Sequence, residues 1–200
     1  KAMELYLKAH EMVAGNPWQT GWSEKEQKRF EEGIRLFEES AREDPRLAAA
    51  WVELGEVRRR LASLQPGVYP EMMAGAREAV ERALEIDPVS ARGRWLRARI
   101  AMYTDFDLTA AEPDFARAIA LNPFEGEALM EYADLLFLTG RDARAILEVN
   151  RALEMDATQP QFHIALGLYD TYKGRNEECL KQAERALALK SQDRCGVIIA

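Results

Sequence analysis

One pattern is written twice, without insertion, between Gly126 and Ser191. Ala133 and Gly167 are 34 residues apart, and the same interval separates Gly140 from Gly174, Ala145 from Cys179, Ala152 from Ala186 and Leu153 from Leu187. A period of this size, with small residues in fixed slots, marks a helical hairpin that stacks on copies of itself. The small slots have a mechanical reason. Where two antiparallel helices approach closely, only Gly, Ala or an equally small side chain leaves room for the facing backbone, and larger ones overpack at about 1–3 kcal/mol each.

Taken in order, the chain divides into five such hairpins, at about 2–45, 48–88, 91–123, 126–157 and 160–191, forming one domain over 1–200. Ser23 with Glu26 offers a capping box for the second helix, and Trp18 and Trp22 in the preceding loop are expected to pack it onto the helices. Asp-Pro or Asn-Pro at 44–45, 87–88 and 122–123 stops each second helix, because proline disfavours helix in the residue before it. Hairpin two carries about nine extra residues, expected as a long loop around Gln65–Pro70, with Pro70 opening the next helix. The run 194–200 reads as the start of a truncated capping helix over the apolar side of hairpin five. With its helical start at Lys1, this makes the chain look excised from a longer one.

Composition excludes several partners. The formal net charge of −7 and pI near 5.1 argue against a nucleic-acid backbone or an anionic membrane as the main contact, since both reward clustered Lys and Arg. Two cysteines are too few for a disulfide framework, which favours a reducing compartment such as the cytoplasm. The periplasm is the alternative if the parent is a membrane-anchored regulator. No run of about 18 apolar residues is present.

These residues resemble the tetratricopeptide repeat (TPR) family over nearly the whole chain. Hairpin two carries the motif as Trp51, Leu54, Gly55, Ala76, Val80, Ala83 and Pro88. Hairpin four carries Leu129, Tyr132, Ala133, Ala145, Val149 and Ala152, with Ala157 in place of the proline. Hairpin five has Leu166, Gly167, Cys179, Ala183 and Ala186. The resemblance implies an all-α, right-handed α-solenoid of about five hairpins. The stretch YTDFDLTAAEPDFARAIALNP at 103–123 further resembles TPR regions that follow winged-helix transcription regulators or class III nucleotide cyclases in bacterial signalling proteins.

Catalytic chemistry finds no footing. His10-Glu11 begins like a zinc-protease motif, but Ala14 stands where the second histidine must be, and there is no phosphate-binding loop or nucleophile elbow. No enzyme and no cofactor are expected. Cys179, in a small interhelical slot, is expected to be a buried inert thiol. Arg94 and Arg97 fall where the family buries apolar groups. Because Ala91, Trp95, Ala98 and Met102 form their own helical stripe, that helix is expected to turn both guanidinium groups to water or an acidic neighbour.

The resemblance implies a protein or peptide segment in a concave groove lined by the first helix of each hairpin. The groove positions are Tyr6, His10, Arg59, Arg92, Trp95, Arg99, Met130, Asp134, Phe137, Ile164, Leu168 and Tyr172. They read as an apolar strip with arginines at one end and Glu131 and Asp134 at the other, suited to a segment acidic at one terminus. Pairing of these charges across adjacent helices is the competing reading. The Lys and Asn clamp of chaperone-binding members is absent. No nucleic acid or membrane contact is expected, and the C-terminal end is left open to self-association. Two functions follow: a sensing or effector-binding module of a larger signalling protein, or an assembly scaffold without regulated output.

Overall fold

The computed structural model describes residues 1–14 and 23–198, with all of their side chains except those of Pro66 and residues 190–198. Trp18 and Trp22 lie outside the described residues. Ten α-helices and no strand occupy the described part: α1 (Ala2–Val13), α2 (Glu24–Glu43), α3 (Ala48–Leu64), α4 (Tyr69–Ile86), α5 (Ala91–Tyr103), α6 (Leu108–Leu121), α7 (Gly126–Leu138), α8 (Asp142–Met155), α9 (Pro160–Tyr172) and α10 (Asn176–Ile198). The chain divides into two compact units, 1–100 and 101–200, with the division inside α5.

In the first unit α1 pairs with α2 and α3 with α4, and α2 also packs on α3. The Ser23 hydroxyl accepts the Glu26 N–H at 3.3 Å and opens α2. Phe30, Ile34 and Phe37 of α2 meet Ala9 and Val13 of α1 and Leu54, Val57 and Leu61 of α3 in one apolar core. A Cβ on Gly33 would stand 2.3 Å from Val13 Cγ1, so α1 and α2 approach there too closely for a side chain unless Val13 shifts. The extra residues of hairpin two do not form a long loop. Helices α3 and α4 have 17 and 18 residues where α7 and α8 have 13 and 14, so each gains about one turn and a three-residue 3-10 helix, Pro66–Val68, joins them. The added turns are used: Leu61 enters the core, and Val68 and Met72 pack against it. Helix is the cheaper state here because each added residue keeps its backbone hydrogen bond while burying apolar surface.

Helix α5 is turned as its stripe requires. Trp95, Ala98 and Met102 are buried, whereas Arg97 reaches Glu81 on α4 at 3.2 Å and Arg94 donates to the Pro88 carbonyl. Neither guanidinium is buried without a partner.

In the second unit α6 packs on α7, α7 on α8, α8 on α9 and α9 on α10. Asp107 caps α6 through the Ala110 N–H at 2.9 Å. Pro113 sits inside α6 on its exposed side, where the carbonyl deprived of a donor, that of Thr109, can turn to water. The hairpin turns repeat as the sequence does. Gly140 and Gly174, at φ +77° and +70°, take the left-handed conformation after α7 and α9, and the next N–H groups, of Arg141 and Arg175, close back on Leu136 and Asp170 at 2.8 and 2.9 Å.

The stops between hairpins share one device across both units. The side chains of Asp44, Asp87, Asn122 and Asp156 each accept the N–H two residues on, at 3.0, 3.2, 3.3 and 2.9 Å. Asp156 therefore turns the chain although Ala157 replaces the proline. Helix α10 runs unbroken to Ile198, so the residues read as the start of a further helix continue it. Cys179 is half-buried and accepts a hydrogen bond from the Thr171 hydroxyl at 3.1 Å, which corrects the expectation of a fully buried thiol.

The two motif glycines differ in tightness. A Cβ on Gly55 would meet the Ala76 carbonyl oxygen at 3.2 Å and Val80 at 3.0 Å, whereas on Gly167 it would meet nothing nearer than 3.5 Å. Gly167→Ala is therefore expected to stabilise by up to about 1 kcal/mol through helix propensity. Gly55→Ala is expected to destabilise because backbone must move. Thermal melts of the two variants read the sign, and a lowered melting temperature for Gly167→Ala contradicts the loose packing.

Candidate peptide-binding faces

The first unit places Tyr6, His10, Arg59, Arg92, Trp95 and Arg99 on α1, α3 and α5, around two carboxylates that the groove pattern does not include. Glu53 and Glu56 are buried on α3. Arg92 donates to Glu53 at 2.8 Å, and Arg59 grips both oxygens of Glu56 at 2.9 Å while Arg99 stands 3.7 Å away. Burial opposes the charge on Glu56, but the guanidinium groups of Arg59, Arg99 and Arg60 outweigh it and hold its carboxyl below the usual range. His10 stacks on Tyr6 with centroids 5.8 Å apart and lies 3.8 Å from Glu53. Burial, then the Glu53 charge, raises the Tyr6 phenol pKa.

Two groove assignments change. Trp95 is 3% exposed and is covered by the guanidinium groups of Arg92 and Arg99, 5.4 and 4.9 Å from its ring, so it is a platform for the arginines and not an open anchor. Arg59 is engaged by Glu56 of its own helix, while Arg92 and Arg99 of α5 reach Glu53 and Glu56 of α3, the pairing across helices of the competing reading. A helical stretch of Ala, Val, Leu and Gly interrupted by Glu53 and Glu56 is itself the signal for them. Acids at three-residue spacing inside an apolar helix demand cationic partners.

The second unit places Met130, Asp134 and Phe137 on α7 and Ile164, Leu168 and Tyr172 on α9. Ile164, Leu168 and Tyr172 are 43%, 54% and 78% exposed in one i, i+4, i+8 row, while Phe162, Ala165, Leu166 and Tyr169 bury the other side of α9. Met130 and Phe137 are half-buried. Phe137 stacks on Tyr169 at 4.2 Å with planes 12° apart, and Tyr172 tilts against it at 5.8 Å. Asp134 is drawn inward, not left on a flank. Tyr169 donates to it at 2.6 Å and Tyr103 at 3.4 Å, and burial still pushes its carboxyl above the usual range. Glu131 is buried as well and does not rim this face. Tyr169, missed in the groove pattern, joins the two helices through both its ring and its hydroxyl.

Helices paired by small residues and closed by repeated turns define the helical-hairpin repeat class. Residues 107–160 match the tetratricopeptide repeat family. No curated protein matches the chain. Among solved structures it is similar to PilW, described as a widely conserved type IV pilus biogenesis factor, with TM-score 0.74 and 15% identity over 95% of this chain and 78% of that one. It is also similar to TTC0263, a thermophilic TPR protein of Thermus thermophilus, with TM-score 0.69 and 17% identity over 99% and 100% of the two chains. A third is YrrB, described as a TPR protein with an unusual peptide-binding site, with TM-score 0.58 and 18% identity over 93% and 92%. The family match is confined to 107–160, and the solved structures share the all-α solenoid fold.

Proposed function

We propose that this chain is a non-enzymatic protein-interaction module that docks a peptide or protein segment on the first helices of its hairpins. The observation that carries the reading is the row Ile164, Leu168 and Tyr172, which leaves three large apolar groups in water on a helix whose other side is well buried. Such a row next to the Phe137–Tyr169 stack suits aromatic-rich recognition. The peptide-binding site that gives YrrB its description supports the same use of the fold. The chain then serves as the sensing or effector-binding region of a larger bacterial signalling or transcription-regulatory protein.

The alternative is an assembly scaffold, favoured by the exposure of Leu180 and Leu187 on α10, which offers a second apolar face. The parent reading frame separates the two: a winged-helix or cyclase domain before residue 1 supports the sensor, a lipoprotein signal the scaffold. The docking itself is tested by panning the full chain against a random peptide display library. Leu168→Glu and Tyr172→Ala are each expected to weaken enriched peptides by about 1–3 kcal/mol, and Glu154→Lys on α8 to leave them unchanged. Enriched peptides indifferent to both α9 variants would move the site elsewhere.

A further inference from the structure

The second unit has a recess where hairpins four and five meet, at the end where α7 and α9 begin and α8 stops. Its volume is about 290 Å³, and its lining shares no residue with the row Ile164, Leu168 and Tyr172. The buried Phe162 and Ala152 form an apolar floor, and Met155 and Phe124 stand at the edge. Gly126 keeps the recess open. A Cβ there would stand 3.0 Å from Phe162 Cζ and 3.8 Å from Met155 Cε, among the side chains that line it. Phe124 is 81% exposed, so the edge leaves an aromatic ring in water beside that floor. Cofactor and drug-sized pockets run to about 300–1,000 Å³, and a recess at the low end of that range suits a single side chain.

The polar part of the lining fixes the sign of a visitor. It holds Glu125, Glu127 and Asp156 with two glutamines, and no lysine, arginine or histidine. Glu125 has an interaction of its own, so the count rests on the other two carboxylates, neither of which makes an ion pair among the described residues. Asp156 accepts from the Thr158 hydroxyl at 2.6 Å, from Gln159 Nε2 at 2.7 Å and from the Thr158 N–H at 2.9 Å, while Gln161 in turn donates to Gln159 at 3.0 Å. These donors are all neutral. They orient the Asp156 carboxylate and hold its pKa below the usual range without cancelling its charge. The starts of α7 and α9 bring about +0.5 each and the end of α8 about −0.5, which leaves the two carboxylates well in excess. We propose that this recess takes an arginine side chain from a partner segment. The aliphatic stem lies on the Phe162 and Ala152 floor, and the guanidinium group is met by Glu127 and Asp156 beside the Phe124 ring. Arginine suits a site with aromatic walls because its guanidinium group is weakly hydrated and stacks on rings. In taking the cation from a polypeptide, the proposal rests on the reading of the chain as a peptide-docking module, and it adds a contact apart from the α9 row.

The test uses the full chain, labelled with nitrogen-15, and the pentapeptide Gly-Ser-Arg-Ser-Gly blocked at both ends, beside versions with citrulline or norleucine at the centre. The arginine peptide is expected to shift the amide signals of Gly126, Glu127 and Gln161 saturably, with Kd about 1 mM, as befits one side chain. Citrulline, which keeps the shape and loses the charge, and norleucine, which keeps only the stem, should each bind at least about fivefold more weakly. Glu127→Gln with Asp156→Asn should bring arginine down to the citrulline level. Asn122 accepts the same turn hydrogen bond at the preceding stop, so Asp156→Asn retains the turn. The same charge change on α10, Glu177→Gln with Glu178→Gln, should alter the affinity less than about twofold. Equal binding of the three peptides, shifts that do not saturate, or an equal loss in both double variants would overturn the proposal. So would acetylarginine amide binding more than about fivefold more tightly than the pentapeptide, since the recess would then admit a free cation and not a polypeptide. If the Glu127 and Asp156 variant fails to fold, the comparison of the three peptides on the unaltered chain decides. Peptides held through Leu168 and Tyr172, with these amide signals unmoved by arginine, would keep the docking module and remove this inference. Saturable shifts with no peptide on α9 would uphold the recess and remove the α9 site.

Discussion

Phe115→Ala is expected to destabilise the second unit by about 3–5 kcal/mol. Phe115 is fully buried on α6 at the centre of the stripe Ala111, Phe115 and Ala118, and its ring tilts against Tyr132 of α7 at 6.3 Å. Its neighbours in that stripe are alanines, suited to close approach, so they have no length with which to fill the space left behind. Helix α7 cannot move in to collapse it either, because its other side is fixed by α8 and α9. The removed ring therefore leaves both a lost transfer term and a cavity. Natural domains are stable by only about 5–15 kcal/mol, so the loss is a large part of the whole. Urea unfolding followed by far-ultraviolet circular dichroism should show a midpoint lower by more than about 1 M. A midpoint within about 0.3 M of the parent would mean that α6 contributes little to the unit.

Much of this architecture is legible in the sequence because it is local or strictly periodic. The small slots, the Ser23 cap and the prolines after Asp44, Asp87 and Asn122 each act within a few residues, and the structure uses them so. The rotation of α5 also follows from its own stripe, since burying Arg94 and Arg97 without partners costs more than any propensity could return. Much of what the sequence hides is set by neighbouring helices far along the chain. Arg92 and Glu53 are 39 residues apart, so neither reveals that the other neutralises it. Trp95 has the composition of an exposed anchor, yet it becomes a buried floor because two arginines of its own helix fold over it. The extra residues of hairpin two look like loop, with Gln65, Pro66 and Gly67 at their centre, but the helices on both sides extend toward them because Leu61 and Met72 find apolar partners. On α9 the row of Ile164, Leu168 and Tyr172 is exposed as its register suggests, whereas Asp134 on α7 is pulled inward by Tyr169, a residue of the opposite register.

Glu56→Gln is expected to cost about 3 kcal/mol at neutral pH, at the low end for breaking a buried ion pair because the arginines it leaves keep some contact with water. Glu56 is buried, and in its absence Arg59, Arg60 and Arg99 lose the carboxylate whose charge they share. The pH dependence carries a definite sign. Burial works to raise the Glu56 pKa, the surrounding guanidinium groups lower it further, and the net folded value lies below the unfolded one. A carboxyl depressed in this way contributes stability above its unfolded pKa, near 4.3, and loses it as pH falls through the folded value. The gap in unfolding free energy between the parent and Glu56→Gln should therefore be widest near pH 7 and close below about pH 4. Urea titrations of both proteins across that range isolate Glu56, since every other carboxyl titrates in both. A gap that is constant with pH, or that widens in acid, contradicts the assignment.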